Sequence, residues 1–300
     1  MDLRQLTYFR AVATLGGFRR AAEELRIAQP AISEQIRRLE AELGTTLFDR
    51  STRPVALTPA GERLLTHANR LLSEAAAVLE DMRGFATERS TLRVGTLQYL
   101  TLLDIPEVLS RFGAAHAGIE LNVTVGNTGE LEALLLRGDL DVVIVHTEGG
   151  VPGDRLTGEP WRREEVAVAV SLEHPLSGRE DVAVQELADA RFVTSRVGGL
   201  IRETFRARAR AVGFDPEVAF EASDVATTLS LVGRDLGVAI VPRSVQALHA
   251  DNVVVLPLRS TTALDVCLLR DAHRTPTPAI EAFMGFMAKT GSNAPSSGAR

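Results

Sequence analysis

The chain has 300 residues, 45% of them hydrophobic, and a mean hydropathy of +0.06, a balance typical of a globular protein of about two domains. The longest apolar runs, such as 166–172, are too short to cross a bilayer, and the first residues lack the apolar core of a signal peptide, so we expect a cytoplasmic protein without a membrane partner. The single cysteine excludes an internal disulfide, and the net charge of −6 is unevenly spread, because residues 1–70 carry 11 arginines against 8 acidic residues, which favours a basic nucleic-acid reader joined to an acidic domain.

Two short helices separated by a tight break are predicted over Phe18–Leu43. In the second helix Ile32, Ile36, Leu39 and Leu43 recur at helical spacing. Side chains at this spacing lie on one face of a helix, so these four are expected to pack into a core.

The same helix has a second face made of hydrogen-bonding side chains. A side-chain amide recognises adenine, and guanidinium groups recognise guanine or phosphate. A small hydroxyl can bond to more than one kind of base edge, so such a face suits the major groove of DNA. An ordinary amphipathic helix with a solvated polar face has the same periodicity, and periodicity alone leaves both interpretations open. The residues of this face are Gln29, Ser33 and Arg37 at intervals of four, with Pro30, Glu34 and Arg38 beside them.

Short motifs follow one another in a fixed order from Met1 to about Leu72. They are Leu3-Arg4-Gln5-Leu6 with Phe9, Gly17-Phe18 with Ala21-Ala22 and Leu25, Gln29 to Ser33, Ile36 to Glu40, Leu43-Gly44, Leu47-Phe48 with Arg50, and Leu57 to Gly61. In this order they resemble the winged helix-turn-helix of LysR-type transcriptional regulators. The resemblance implies a DNA-binding domain over 1–58 that binds double-stranded DNA through a recognition helix at 29–43.

The resemblance also implies which side chains meet DNA, and the chain departs from the family pattern at four positions of this domain. Ala28, Gly17 and Arg19 replace small hydroxyl residues that are commoner in the family, and alanine is a poor helix N-cap at a cost of about 1 kcal/mol. Glu34 places a negative charge on the reading face, where it can accept from a cytosine amino group. The implied DNA-binding residues are Arg19, Gln29, Pro30, Ala31, Ser33, Glu34, Arg37, Arg38, and, in the wing, Arg50 and Arg53.

A long helix is predicted from Pro59 to Phe85, because proline is tolerated in a first turn and the next proline is Pro106. Apolar and small residues recur in it at intervals of three and four, which is a heptad-like seam. Such a seam packs on the chain's own body or pairs two copies, and the LysR resemblance favours pairing through a linker and dimerisation helix over 59–90 that ends in a hinge at 87–91. The seam residues are Leu65, Ala68, Leu72, Ala75, Leu79 and Met82.

Short apolar strands alternate with helices from Leu92 onward, which favours a mostly parallel sheet flanked by helices. The first series has strands at 92–97, 120–125 and 141–145 and helices at 105–114 and 130–137. The second has strands at 165–171, 191–194, 218–221 and 238–241 and helices near 201–212 and 225–233. A returning strand at 264–270 and a closing helix at 279–289 follow, and the Gly-, Ser- and Pro-rich residues 290–300 are expected to be a disordered tail.

Four further motifs carry a second resemblance. They are Leu92-Arg93-Val94-Gly95, Gly138 to Asp141, His174-Pro175-Leu176, and Leu236-Gly237-Val238 with Pro242. These resemble the effector-binding domain of LysR-type regulators, which is similar to type 2 periplasmic binding proteins. The implied fold is α/β overall: an all-α winged helix-turn-helix with a long linker helix, then a two-lobed α/β domain over 91–289. Lobe I is expected at about 91–161 and 265–289, and lobe II at about 162–264. Asp235 stands where the family usually has glycine, and Asp tolerates a left-handed backbone better than most residues.

The resemblance places an effector cleft at loops beyond the carboxyl ends of the strands, where ligands meet open α/β sheets. The loops supply mostly neutral hydrogen-bonding groups and one arginine, and nearby helix N-termini add backbone N–H groups, a combination that suits a small carboxylate. For any one of these residues ordinary loop polarity is the alternative. The predicted effector-binding residues are Gln98, Tyr99, Leu100 and Thr101, then Asn127 and Thr128, then His146 and Thr147, and in lobe II Thr194, Ser195 and Arg196.

Two rival functions are open to test. An enzyme is disfavoured because the sequence has no assembled catalytic motif and no metal-ligand spacing among its six histidines. The single cysteine, Cys267, lies in an apolar strand pattern, which favours a buried structural thiol over a nucleophile or redox switch. A solute-binding module without DNA activity is disfavoured by the intact Gln29–Ser33 motif. Retention on heparin and release by salt would distinguish it from a regulator.

The sequence therefore predicts a LysR-type DNA-binding transcriptional regulator with no catalytic site, metal or cofactor. Its expected partners are double-stranded DNA, a small-molecule effector, and itself as a homodimer or homotetramer, with RNA polymerase a further candidate. A regulator that needs no effector is the alternative within the same family.

Overall fold

The computed structural model describes residues 1–52, 54–87, 90–151, 153–195, 199–259 and 263–291. The chain divides into two compact units, Met1–Thr87 with Leu136–Asp139, and Glu88–Leu135 with Leu140–Arg300. Within the described ranges no helix is long and apolar enough to cross a membrane. Part of the predicted hinge, 88–89, and most of the predicted tail, 292–300, lie outside the described residues.

Helices and one small hairpin build the N-terminal unit. In chain order they are α1 (Leu3–Leu15), α2 (Phe18–Leu25), α3 (Gln29–Leu43), β1 (Phe48–Asp49), β2 (Ala56–Leu57) and α4 (Pro59–Thr87). The strands β1 and β2 pair antiparallel and form the wing. The bounds predicted for the helix at 29–43 are confirmed at both ends, and α4 begins at the predicted proline and runs two residues past the predicted Phe85.

Local chemistry explains where these helices begin and end. The Asp2 side chain accepts from the Gln5 backbone N–H and the Gln5 side chain accepts from the Asp2 N–H, a reciprocal capping box that starts α1. α3 begins after Ala28 without any side-chain cap, as expected from the departure at that position. It ends at Gly44, whose φ of 66° lies in the left-handed region that glycine adopts without strain.

The core of the N-terminal unit collects the apolar faces of all four helices. Ile32, Ile36 and Leu39 are fully buried together with Phe9 of α1, which confirms the predicted core stripe of α3 over its first three positions. The prediction is wrong for Leu43, which is 41% exposed. Leu43 is the last residue of α3, and the cluster of buried side chains ends one turn earlier.

A five-stranded sheet forms lobe I of the C-terminal unit. Its strands are β3 (Ser90–Leu97), β4 (Ile119–Gly126), β5 (Val142–Thr147), β6 (Leu156–Glu164) and β12 (Leu264–Asp271), in the spatial order β4-β3-β5-β12-β6. β3 pairs parallel with β4 and β5, whereas β12 pairs antiparallel with β5 and β6. The helices of this lobe are α5 (Gln98–Thr101), α6 (Ile105–Ala115), α7 (Thr128–Arg137) and α10 (Pro278–Gly291).

Lobe II is built from two smaller sheets. An antiparallel sheet has the order β10-β7-β11, with β7 at Val166–Ser171, β10 at Ala239–Pro242 and β11 at Val253–Pro257. β8 (Arg191–Ser195) and β9 (Glu217–Ala222) pair parallel. The helices of lobe II are α8 (Leu200–Ala211) and α9 (Val225–Val232), and the chain enters from β6 and returns to lobe I through β12.

The predicted α/β fold and the returning strand are confirmed, but the expectation of mostly parallel pairing is wrong. The strands β6 and β11 were not predicted, and β6 contains a proline and several charged residues. Both strands pair antiparallel with their neighbours. Asp235 has a φ of 56°, so aspartate occupies the left-handed position that was expected of it.

Candidate DNA-binding surface and effector cleft

The polar face of α3 is open to solvent. Gln29, Pro30, Ala31, Arg37 and Arg38 are exposed, while Ser33 and Glu34 are half-buried. Because the opposite stripe of the helix is locked into the core, this face is held rigidly outward. A helix anchored on one face and polar on the other has the form needed to enter a major groove.

Glu34 lies between the two arginines of this face. Its carboxylate is 3.3 Å from Nη1 of Arg37 and accepts from Nε of Arg38 at 3.1 Å. Both pairs are exposed ion pairs one helical turn apart, which contribute little to stability. These ion pairs act instead on the orientation of the arginine side chains, because the Glu34 carboxylate restrains both guanidinium groups on the reading face.

The wing arginine Arg50 is tied to the recognition helix. Its Nη2 donates to Glu40 of α3 at 2.9 Å, and its guanidinium lies 5.2 Å from the centre of the Phe18 ring. Glu40 also accepts from the Leu47 backbone N–H at 2.9 Å, so one carboxylate fixes the start of the wing and its arginine. Arg19 lies on α2 at 3.9 Å from the Glu23 carboxylate. Arg53 lies outside the described residues.

The first half of the predicted dimerisation seam is used by the chain itself. Ala68 is fully buried in the core of the N-terminal unit, and Leu65 and Leu72 pack against that core, so the seam prediction is wrong over this half of α4. The second half is exposed, with Leu79 and Met82 at 59% and 56%. The apolar stripe left uncovered on α4 consists of Leu71, Ala75, Val78 and Met82, with Leu79 beside it.

A cavity of about 450 Å³ lies between the lobes of the C-terminal unit. Lobe I supplies the ends of β3, β4 and β5, and lobe II supplies β8, β10 and the first turns of α8 and α9. Six predicted effector residues meet at this cavity, although they are separated by up to 96 positions in the chain. They are Gln98, Tyr99, Asn127, Thr128, His146 and Thr194.

Three predicted effector residues do not line the cavity. Leu100 is fully buried in the core, because Gln98–Thr101 forms the helical turn α5 and turns this side chain inward. The Thr101 hydroxyl bonds the Gln98 carbonyl of the same turn, and the Thr147 hydroxyl, buried at the end of β5, lies 3.0 Å from Sγ of Cys267. The Ser195 side chain and Arg196 lie outside what the structure describes.

The sequence prediction missed most of the lobe II wall. The first turn of α8, Gly199–Arg202, lines the cavity, as do Phe205 of the same helix and the β10 segment Ile240–Pro242. The signal that could have found α8 is the glycine before an apolar helix start, because Gly199 is an N-cap without a side chain and the first-turn N–H groups of a helix have no intrahelical acceptor. Nothing in the local sequence of β10 distinguishes a wall residue from a core residue.

The polar floor of the cavity is a buried pair of rings. The Tyr99 hydroxyl is 2.9 Å from Nε2 of His146, and the two rings stack with their centroids 5.4 Å apart. The positive charge of Arg162 acts on both rings. Burial lowers the pKa of His146 to about 3, and burial raises the pKa of Tyr99, so both rings are neutral near pH 7.

Arg162 joins this floor to the connection between the lobes. Its guanidinium donates to Asp104 at 2.5 Å and to Glu164 at 3.1 Å. Glu164, the last residue of β6, accepts from the backbone N–H and the hydroxyl of Ser244 in lobe II at 3.1 and 2.9 Å. Burial raises the pKa of Glu164, and the bonds from Ser244 oppose that rise. A continuous polar chain thus runs from Asp104 through Arg162 and Glu164 to Ser244 in lobe II.

Each charged side chain on the cavity wall has an internal partner in the described structure. Arg202 donates to Glu221 at 3.0 Å and Arg206 to Asp215 at 2.9 Å. Asp224 accepts from the Thr227 N–H at the start of α9. The Thr128 hydroxyl differs, because its oxygen is buried and has no hydrogen-bond partner among the described groups.

No group of three or more His, Cys, Asp or Glu side chains is arranged to hold a metal ion within the described residues. Cys267 is buried in β12, and burial raises the pKa of its thiol. A buried thiol with a raised pKa is a poor nucleophile.

Comparisons with known proteins agree with both halves of this description. Residues 3–62 match the model of the bacterial regulatory helix-turn-helix protein of the lysR family, and residues 86–292 match the LysR substrate binding domain. The transcriptional regulator BudR of Raoultella terrigena is 32% identical over 270 residues, which is 87% of this chain and 91% of BudR. The regulator ShiR of Corynebacterium glutamicum is 35% identical over 267 residues, 86% of this chain and 88% of ShiR.

The fold has close counterparts among solved structures. The crystal structure of CbnR, a LysR family transcriptional regulator, superposes with a TM-score of 0.64 at 22% identity and covers 97% of this chain and 99% of CbnR. The chain therefore belongs to the LysR family of transcriptional regulators, with a DNA-binding helix-turn-helix followed by an effector-binding domain.

Proposed function

We propose that this LysR-family regulator binds operator DNA with the polar face of α3 and the wing, and is controlled by a small carboxylate in the cavity between its lobes. The cavity carries the proposal. It is large enough for a small organic acid, it is reached by side chains from both lobes, and it is lined by apolar residues with a few convergent polar groups.

A carboxylate ligand is favoured by the hydrogen-bond donors that lobe II and lobe I each bring to the cavity. The first turn of α8 brings backbone N–H groups and a helix N-terminus to the cavity, and Thr194 of β8 lies beside it. On the lobe I side the unpartnered Thr128 hydroxyl supplies a further donor. Between these ends the side chains of Phe192, Ile201 and Phe205 offer an apolar surface for the body of the ligand.

The assembly we propose is a homodimer paired through the exposed stripe of α4, which can associate further into a tetramer. Its place of action is the cytoplasm, where its DNA and RNA polymerase are found. The role is regulatory and not catalytic, in line with the regulators to which the chain is similar.

A thermal-shift screen of the full-length chain against aliphatic and aromatic carboxylates tests the proposal. A compound at 100 times its Kd adds about 2.7 kcal/mol to the free energy of unfolding, which raises Tm by roughly 5–10 °C. Thr194→Val should abolish the shift, whereas Thr147→Val, whose hydroxyl does not reach the cavity, should keep it. Shifts that disappear equally in both variants, or a screen with no saturable hit, would contradict the assigned cavity and ligand class.

A further inference from the structure

One hydrogen bond in the described structure crosses the open side of the cleft. The side-chain oxygen Oε1 of Gln98 accepts from the backbone N–H of Val225 at 3.1 Å. Gln98 begins α5 at the end of β3 in lobe I, and Val225 is the first residue of α9 in lobe II. The two residues are 127 positions apart, and both line the cavity.

The Val225 N–H needs a partner from outside its own helix. The first N–H groups of any helix have no intrahelical acceptor. The Asp224 carboxylate covers a neighbouring donor, because it accepts from the Thr227 N–H at 2.7 Å. The Val225 donor of this turn is satisfied by Gln98, so this bond forms only when the two lobes are together.

The chemistry of the amide fixes how Gln98 is oriented. A backbone N–H only donates, so the atom facing it must be the amide oxygen, and the Nε2 group is directed away from Val225. Nε2 donates to no protein group within the described residues, and Gln98 lines the cavity. The clasp thereby leaves two donors for an acceptor oxygen in the cleft.

From this geometry we infer that Gln98 is a cross-cleft clasp: it holds the lobes together and sets how far they separate. This inference rests on the proposed effector cleft. Breaking the clasp frees the α9 terminus and lets the lobes part. Because the polar chain through Arg162 and Glu164 to Ser244 stays intact at the connection between the lobes, the motion is a rotation about that connection.

Amide hydrogen exchange at Val225, measured on the full-length chain without added compound, tests the clasp. Gln98→Met keeps the length of the side chain and removes the acceptor, so exchange at Val225 should accelerate about fivefold to tenfold. Gln98→Glu keeps an acceptor at the same reach and should stay within about twofold of the wild type. Gln185→Met, the same substitution at an exposed position, is the control.

Core amides such as Val168 report whether each variant is folded and should exchange as in the wild type. Equal exchange at Val225 in the wild type and in Gln98→Met overturns the clasp. Faster exchange together with a DNase I footprint identical to that of the wild type overturns its regulatory role. Neither result depends on the carboxylate screen, so a failed screen and a failed clasp are distinguished.

Discussion

Glu34 limits how the arginines of the recognition helix can act. Its carboxylate is within ion-pair distance of both Arg37 and Arg38, so the reading face carries a net charge of one rather than two. An arginine freed to bond a guanine must leave or share that carboxylate. Base recognition on this helix is therefore expected to depend on the acidic neighbour as well as on the guanidinium group.

Arg37→Ala is expected to weaken operator binding. If Arg37 forms a bidentate contact with guanine, the loss is about 1–3 kcal/mol and specificity relaxes at one base pair. If it meets phosphate, all sequences weaken alike and the salt dependence becomes shallower. Fluorescence anisotropy on operator and scrambled DNA at several salt concentrations separates the two. Unchanged affinity and unchanged salt slope would remove Arg37 from the interface.

His146 predicts a dependence of stability on pH. Burial lowers its folded pKa to about 3, against 6.5 for the free group, so stability is fully present above pH 6.5 and is lost as the pH falls from 6.5 toward 3. Lowering the pH from 7 to 5 should therefore reduce the free energy of unfolding by about 2 kcal/mol through His146.

Denaturant titrations at the two pH values compare the wild type with His146→Gln. The variant cannot gain this charge on unfolding, so its loss of stability over the interval should be smaller by about that 2 kcal/mol. The difference between the two proteins removes the contributions of all other titrating groups. Parallel stability curves for the two proteins would contradict the buried, neutral state of His146.

Among the elements, the wing depends on one carboxylate of α3. Glu40→Ala removes the acceptor of the Leu47 N–H and of Arg50 together. We expect the free energy of unfolding to fall by about 1–3 kcal/mol. We also expect a lower affinity for DNA, because Glu40 no longer holds the Arg50 side chain in place. Chemical denaturation and a binding titration measure the two effects. Glu24→Ala, at an exposed acid of α2 that has no ion-pair partner among the described residues, is the charge-matched control.

The linker helix carries the prediction about assembly. Val78 is 52% exposed in the middle of the uncovered stripe of α4. A charge there must be desolvated when two helices meet, so Val78→Glu should shift the chain from dimer to monomer in sedimentation velocity. Thr66→Glu adds the same charge to the same helix at an exposed position off the stripe and should leave assembly unchanged. Dimers that survive Val78→Glu would require another interface.

The sequence was sufficient to predict the bounds of the helix α3, and it predicted only part of the cavity wall. The bounds of α3 follow from local signals, a proline in the first turn and Gly44 after the last. Leu100 and Thr147 were misassigned for a different reason. They follow strands as cleft residues should, but whether a side chain after a strand faces the cavity or the core depends on how the next turn winds, and α5 turned Leu100 inward.

The seam on α4 failed for a related reason. A heptad pattern identifies an apolar face but does not say what covers it, and here Ala68 is covered by the chain's own core while Met82 is not. The lobe II wall was missed because its residues, such as Ile240, have no polar signature. Tertiary packing, which local patterns do not encode, decides all of these positions.

For the whole molecule, the described parts form a reader, an exposed helical stripe and a two-lobed sensor whose lobes are joined at the back by the Arg162 chain and at the front by Gln98. A ligand changes the output of such a protein only if it binds one lobe arrangement better than another. Control by an effector therefore requires that occupation of the cleft alters how the DNA-binding domains contact DNA.

The most direct measurement is a DNase I footprint of the full-length chain on an operator selected from random DNA, with and without the carboxylate that gives the largest saturable thermal shift. We expect the compound to change the length of the protected region or the positions of enhanced cleavage, and we expect Thr194→Val to abolish this change and Thr147→Val to retain it. A footprint and a DNA bend that stay the same at saturating compound would contradict control of DNA binding by the cleft.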